Sequence, residues 1–200
     1  MKIHALMIPD PITVGIHASI SDAIELMKVN SIRHLPVVSA GNHLEGFLTL
    51  ADLKQGLIPS MVSDLTLQDL MIKNPITVDP DEEIEYAAQL IYKHKIGGLP
   101  VTKRNKLVGI ITATDLLRTF IDMMGILSST SRIDVAIGDR PDALKKVLQI
   151  INDAGGDIIN VGMTRQDNKR VYYFRLSACE TAGIKAALEK QKFEVLAALD

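Results

Sequence analysis

The chain of 200 residues has no tryptophan, one cysteine and only 4% aromatic residues. A single cysteine, Cys179, excludes an intramolecular disulfide and fits a reducing compartment. Charge of one sign is missing too: 22 Lys and Arg stand against 24 Asp and Glu, a formal net charge of −2, with no block of like charges. That balance offers no electrostatic grip on nucleic acid. No apolar run reaches the roughly 18 residues of a membrane span. The opening MKIHALMIPDP lacks the apolar core and cleavage site of a secretory signal. A cytoplasmic protein that engages neither membrane nor nucleic acid is therefore expected. His4, His17, His43 and His94 show no metal-ligand spacing, so no metal is expected either. What the chain does have is 47% hydrophobic residues, enough for filled cores in one or two domains.

It also has a repeat. MIPDPITV at 7–14 returns as MIKNPITV at 71–78, 64 residues later. The offset persists through Ile20 and Ile84, Ala23 and Ala87, Leu26 and Leu90, Ile32 and Ile96, and Leu35-Pro36-Val37 and Leu99-Pro100-Val101. One residue is then lost in a turn, and GFLTLADL (46–53) falls on GIITATDL (109–116) at an offset of 63. This is a duplicated unit. In each copy Ile12-Thr13-Val14 or Ile76-Thr77-Val78 reads as an extended segment. The stripe Ile20, Ala23, Ile24, Met27, or Ile84, Ala87, Ala88, Ile91, then reads as a helix face. Ser19 or Ser21 suits the cap of the first helix, and Asp79-Pro80 with Glu82 signals the start of the second. Two strands follow around Gly41-Asn42 or Arg104-Asn105, and a further helix opens near Asp52 or Asp115. The methionines at 7, 27, 61, 71, 123 and 124 are expected to fill core or dimer surface. One difference stands out: Arg33-His34 before the first Leu-Pro-Val becomes Gly97-Gly98 before the second.

Past about residue 125 the repeat ends. Ser128-Ser129-Thr130-Ser131 reads as a polar joint. Beyond it Ile133, Val135 and Ile137 alternate as a strand, and Leu144, Val147, Leu148 and Ile151 mark a helix that starts near Pro141 and ends at Gly155-Gly156. Strands at 157–164 and 170–177 flank Gln166-Asp167-Asn168-Lys169, a helix carries Ile184, Ala187 and Leu188, and Phe193–Leu196 closes the order β-α-β-β-α-β, the ferredoxin-like one. The fold class is α/β (α+β): repeat 1 over 1–60, repeat 2 over 61–125, a linker at 126–131 and a C-terminal domain over 132–200.

On the P-I-T-V openings, the L-P-V strands and the duplicated Gly-φ-φ-Thr-x-x-Asp at 46–52 and 109–115, the repeat resembles a tandem pair of CBS domains, named for cystathionine beta-synthase. The stretches AIGDRPDAL (136–144) and NDAGGDI (152–158) are similar to the ACT domain, a small regulatory fold. That domain order resembles bacterial accessory proteins of acetoin utilisation. The resemblance implies a homodimer with no catalytic role, regulated by an adenosine nucleotide (AMP, ADP or ATP) and passing its signal to an unidentified protein partner. The ACT family often has glycine where Asp142 stands, in a loop that receives an amino-acid effector. Asp142 adds bulk and negative charge against such a ligand.

In the CBS family each cleft joins the opening and L-P-V strand of one repeat to the Thr/Asp motif of the other. Carried over, the first site holds Thr13, Val14, Arg33, His34, Pro36, Thr112, Thr114 and Asp115. The second and weaker site holds Thr77, Val78, Gly98, Pro100, Thr49 and Asp52. The chemistry is consistent with this. A carboxylate at a helix start accepts hydrogen bonds from a ribose diol, and threonine hydroxyls serve sugar or phosphate oxygens. Arg33 offers planar bidentate donors to phosphate, and His34 titrates near neutrality, so phosphate contact holds it protonated. Ala51 stands where the first site has Thr114, and the paired glycines carry no charge. No nucleophile and base set or phosphate loop is visible. The alternatives are an enzyme acting on a nucleotide and a structural adaptor with vestigial clefts.

Overall fold

The 64-residue offset reappears in three dimensions. The computed structural model describes residues 1–55, 65–127, 131–138, 142–166 and 169–200. Repeat 1 runs β1 (Ile8–Pro9), β2 (Val14–Gly15), α1 (Ile20–Val29), β3 (His34–Ser39), β4 (His43–Thr49) and α2 (Leu50–Gln55). Repeat 2 runs α3 (Leu67–Leu70), β5 (Ile72–Lys73), α4 (Ile84–His94), β6 (Gly98–Lys103), β7 (Lys106–Thr112) and α5 (Ala113–Met123). A 3-10 turn at Ile3–Ala5 is the counterpart of α3.

Local chemistry explains most boundaries. Ser19 rather than Ser21 caps α1, accepting from Asp22 N while Asp22 Oδ2 accepts from Ser19 N, both at 3.1 Å. The same bonds hold the Asp22 carboxyl below its ordinary pKa. The expected start signal of repeat 2 acts one turn early. Asp79 N donates to Glu82 Oε2 at 2.8 Å, and α4 begins only at Ile84, behind Glu83. In the hairpin turns Gly41 and Asn42 have φ of 76° and 64°, and Arg104 and Asn105 have 52° and 63°. Two successive left-handed residues match the twist of tightly joined antiparallel strands.

Within each repeat the two long strands pair antiparallel, β3 with β4 and β6 with β7. The opening strands cross over. β1 pairs with β7 of repeat 2, Pro9 facing Gly109, and β5 pairs with β4 of repeat 1, Lys73 facing Gly46. Leu67 crosses with β5 and is buried among Val14, Leu35, Val37, Leu48 and Leu53. This exchange explains the glycine of Gly-φ-φ-Thr. A Cβ on Gly109 would lie 2.6 Å from Met7 Sδ and 3.1 Å from the Ile8 carbonyl oxygen, and one on Gly46 would overlap Met71 Sδ. Met7 and Met71 thus each cover the other repeat's glycine, and Met27 is core, while Met123 and Met124 remain about half exposed. Gly109→Ala is expected to cost about 1–3 kcal/mol by overpacking, read as a lower urea midpoint with unchanged slope.

The described chain divides into two compact units, Met1–Leu117 and Arg118–Asp200. The division falls inside α5 rather than in the expected joint at 126–131. The second unit contains β8 (Ser131–Ile137), α6 (Ala143–Asp153), β9 (Ile158–Gln166), β10 (Lys169–Leu176), α7 (Thr181–Lys190) and β11 (Glu194–Leu199). The element order is β-α-β-β-α-β, and the antiparallel sheet runs β11-β8-β10-β9. Ile133, Val135, Ile137, Val147, Ile151, Phe174, Leu176, Ile184 and Leu188 form its core. At the end of α6 Gly155, with φ 86°, and Gly156 donate back to Asn152 and Ile151 at 3.0 and 2.9 Å, closing the helix as the glycine pair predicts. Ser131 is corrected from linker to strand. It is 1% exposed, and its hydroxyl bridges the Cys179 carbonyl and amide at 2.8 and 2.9 Å. Residues 128–130, Pro141, the Asp167-Asn168 turn and Met61 lie outside the described residues. No helix among the described residues is long and apolar enough to cross a membrane.

Candidate functional site

Two copies of one helix start frame the site. In the first unit Thr49 ends β4 and Thr112 ends β7, each at the N-terminus of the following helix. Asp52 Oδ2 accepts from Thr49 N at 2.8 Å and from Thr49 Oγ1 at 2.6 Å, while Asp52 N donates to Thr49 Oγ1 at 3.4 Å. Asp115 and Thr112 repeat those bonds at 2.8, 2.6 and 3.4 Å. Each aspartate therefore stands in the third helical position of a Thr-x-x-Asp capping box. The helices begin at Leu50 and Ala113, two residues before the expected aspartates. Backbone bonds fix the approach identically: Leu50 N donates to the Arg33 carbonyl at 3.0 Å, and Ala113 N to the Gly97 carbonyl at 2.9 Å.

Between these helix starts lies a cavity of about 630 Å³. It brings together five residues of the expected first site: Arg33, His34, Thr112, Thr114 and Asp115. Thr49, Ala51 and Gly97, from around the dyad that relates the repeats, line it as well. Thr13, Val14 and Pro36 are not on its wall. Val14 is 4% exposed because it pairs with Val37 inside the core, and Pro36 is a buried strand residue facing Phe47.

The expected second site is dispersed in the same way. Val78, Gly98 and Pro100 are buried, Val78 bridging to Val101 as Val14 bridges to Val37. Thr77 is exposed, Asp52 is half-buried, and Thr49 serves the first cavity.

Several cavity residues escaped the sequence reading, among them Ile8, Asp10 and Ile110. Residues 11–13 belong to no strand, so alternation misplaces the segment's faces. A usable signal existed. Ile8 and Ile12 recur as Ile72 and Ile76, yet all four stay between 36% and 49% exposed, large apolar groups that no core claims.

The charges are few. Arg33 is exposed at the mouth, and Asp10 and Asp115 are the carboxylates of the wall. His34 is half-buried, its ring stacked on Phe47 with centroids 5.8 Å apart and planes 18° from parallel. Burial, and then the Arg33 guanidinium, hold its pKa below the ordinary value, against the opposing pull of Asp115. Among the described residues no three His, Cys, Asp or Glu side chains converge as metal ligands.

Comparison with known proteins bears on this geometry. The family model for the CBS domain matches residues 3–58 and again 67–122. A homoserine O-acetyltransferase of Methanohalobium evestigatum is 36% identical over 114 residues, 56% of this chain and 23% of that protein. An inosine-5′-monophosphate dehydrogenase of Methanocaldococcus jannaschii is 30% identical over 173 residues, 85% of this chain and 34% of that one. The chain thus spans 23% and 34% of the two enzymes' lengths.

Among solved structures, a CBS domain pair in complex with 5′-methylthioadenosine and S-adenosyl-L-methionine matches with a TM-score of 0.56 and 30% identity, covering 60% of this chain and 99% of that one. A Vibrio cholerae structure named for acetoin utilization (AcuB) gives 0.57 and 31%, covering 63% and 94%. A third, CBSX2 in complex with AMP, gives 0.54 and 28%, covering 60% and 96%. A duplicated fold with exchanged openings and matched Thr/Asp helix starts, recognised by one family model in both halves, has one reading: the chain belongs to the CBS domain family and carries a tandem pair.

Proposed function

We propose that the first unit is a regulatory module that binds an adenosine nucleotide in the 630 Å³ cleft, without catalysing its conversion. The observation that carries this is the convergence on one cavity of exposed isoleucines, a helix-start carboxylate, threonine hydroxyls and one arginine. Ile8 and Ile12 offer apolar faces to a base. Asp115 spends Oδ2 on its cap, but a carboxylate has about four acceptor sites, enough to take a ribose diol as well. Thr114 adds a hydroxyl outside the capping bonds. Arg33 favours a phosphate over the sulfonium bound by one structural relative, since it would repel a cation.

Occupancy regulates only if the ligand binds two arrangements of the protein unequally. In this reading the C-terminal unit, an ACT-type domain by its sequence motifs and β-α-β-β-α-β order, or a partner protein, reads the difference in a homodimer. The likeness to the Vibrio cholerae protein supports a role in acetoin metabolism. Asp142 lies at the N-terminal boundary of α6 and makes no side-chain capping bond. An amino-acid effector there would meet its negative charge.

Calorimetric titration tests the module. Arg33→Ala is expected to weaken AMP, ADP and ATP by about tenfold or more while leaving adenosine within about threefold, the loss of one charged hydrogen bond. Equal losses for adenosine and ATP would show that Arg33 does not meet phosphate. Sustained turnover of ATP, abolished in Asp115→Ala, would replace the regulatory reading with an enzymatic one.

A further inference from the structure

The sheet of the second unit leaves apolar side chains uncovered along one edge. β9 ends the strand order β11-β8-β10-β9. Its exposure alternates along the strand, with Ile159, Val161 and Met163 at 52%, 41% and 53%. Val161 and Met163 pair with Phe174 and Tyr172, so they share the face that α6 and α7 cover. Phe174 is fully buried there, and its neighbours on β9 are not. An edge strand invites pairing with another chain unless proline, lysine or a bulge blunts it. From Ile158 to Gln166 β9 has neither proline nor lysine. Its one irregularity lies near its start, where the pairing with β10 shifts between Arg175 and Leu176. The opposite edge is interrupted: β11 shifts register in its middle, between Val195 and Ala197.

We propose that β9 docks against β9 of a second copy of this chain, antiparallel and centred on Val161, joining two four-stranded sheets into one. The strand's own sequence argues for that occupant. A two-fold contact of this kind pairs the strand with its own reversal about Val161. Ile159 then falls opposite Met163, and Asp157 opposite Arg165, so apolar meets apolar and a carboxylate meets a guanidinium. Moving the centre by one residue sets Asp157 against Met163, or Ile159 against Arg165, and loses both matches. Strand pairing alone buries little beside the roughly 800 Å² per partner of a stable contact. The same edge carries more. Asn160 Nδ2 donates to the Met123 carbonyl at 3.0 Å, which holds the end of α5 beside β9. Met123, Met124, Ile126 and Leu127 there are 43% to 76% exposed and add apolar surface to the contact. This rests on the homodimer of the proposed reading and names the surface that forms it.

Cysteine cross-linking of the full chain tests the edge and its register. In a Cys179→Ser background, Val161→Cys meets its own copy across the two-fold axis. Opposed Cα atoms of an antiparallel pair lie about 4.5–5.5 Å apart, within the roughly 4.4–6.8 Å that a disulfide spans. With oxidised glutathione as oxidant, Val161→Cys is expected to link at least about tenfold faster than Glu189→Cys, an exposed control on α7, because pairing raises the effective concentration of the two thiols. Ile159→Cys and Met163→Cys are each expected to link slowly alone and quickly when the two variants are mixed.

Linking of Val161→Cys no faster than Glu189→Cys overturns the docking edge. Fast linking of Ile159→Cys or Met163→Cys alone overturns the centring on Val161. Sedimentation of the unmodified protein separates these failures from that of the wider reading. A dimer whose Val161→Cys form does not link places the homodimer on another surface and sinks this one. A monomer at every concentration overturns the homodimer and the docking edge together.

Discussion

Asp115→Ala is expected to weaken AMP binding about ten- to a hundredfold, and Asp52→Ala at most threefold, although both remove the same helix cap. The capping bonds are equal in the two copies, with matching distances of 2.8, 2.6 and 3.4 Å. Each substitution should therefore lower stability by a similar amount, about 1–2 kcal/mol. The pair is an internal control for that cost, which usually blurs the reading of a binding-site aspartate. What differs is the surroundings. Asp115 lies on the wall of the 630 Å³ cleft with Arg33, His34 and Thr114, whereas Ala51 stands beside Asp52 in the place of Thr114. Titration with AMP alongside thermal denaturation separates the two effects. Matched shifts in melting temperature with unequal affinity losses support a ligand contact at Asp115. Equal affinity losses would mean that the caps, acting through fold stability, account for everything, and the cleft would lose its main polar anchor.

Much of this arrangement was legible in the residues because duplication makes chance matches testable. An offset of 64, and of 63 past the turn, identified equivalent strands, helices and Thr-x-x-Asp starts without any structural knowledge. The offset could not show which sheet each opening strand joins. Met7-Ile8 and Met71-Ile72 present the same pattern to either repeat, so exchanged and unexchanged pairings bury the same residue types. The pairing of β1 with β7 and of β5 with β4 settles the exchange, with Met7 close against Gly109 and Met71 against Gly46. The site was half legible for a related reason. Arg33, His34, Thr112, Thr114 and Asp115 sit at strand ends and helix starts, where local pattern fixes direction. Val14 and Pro36 look equally placed by sequence, but pairing with β3 and β4 turns them into the core. The capping boxes were available as a pattern in the sequence and account for the aspartates before any ligand is considered. That makes Arg33, His34 and the unclaimed isoleucines the more specific signal.

Phe174→Ala is expected to destabilise the C-terminal unit by about 3–5 kcal/mol, the usual cost of emptying a fully buried aromatic site. Phe174 is 0% exposed at the centre of β10, opposite Ile133 on β8 and Val161 on β9, and its ring lies 6.3 Å from that of Tyr172. The helices that cover it bring Val147, Ile151, Ile184 and Leu188, all 1% exposed or less, so truncation leaves a cavity walled by packed neighbours that relax into it only in part. Its cross-strand partner supplies the contrast. Val161 shares that pairing but stands on the edge strand at 41% exposure, and Val161→Ala should cost under about 1 kcal/mol. Amide hydrogen exchange reads both changes by segment. In Phe174→Ala, protection across β8 and β10 should fall by roughly two to three and a half orders of magnitude, at about 1.4 kcal/mol per decade. The strands of the first unit keep theirs, because the core around Leu35 and Leu48 shares no residue with that around Phe174. AMP affinity should then stay within about threefold of the unmodified protein, since every proposed contact lies before residue 117. Loss of protection in both units together, or loss of AMP binding, would show that nucleotide recognition depends on the C-terminal unit as a folded whole.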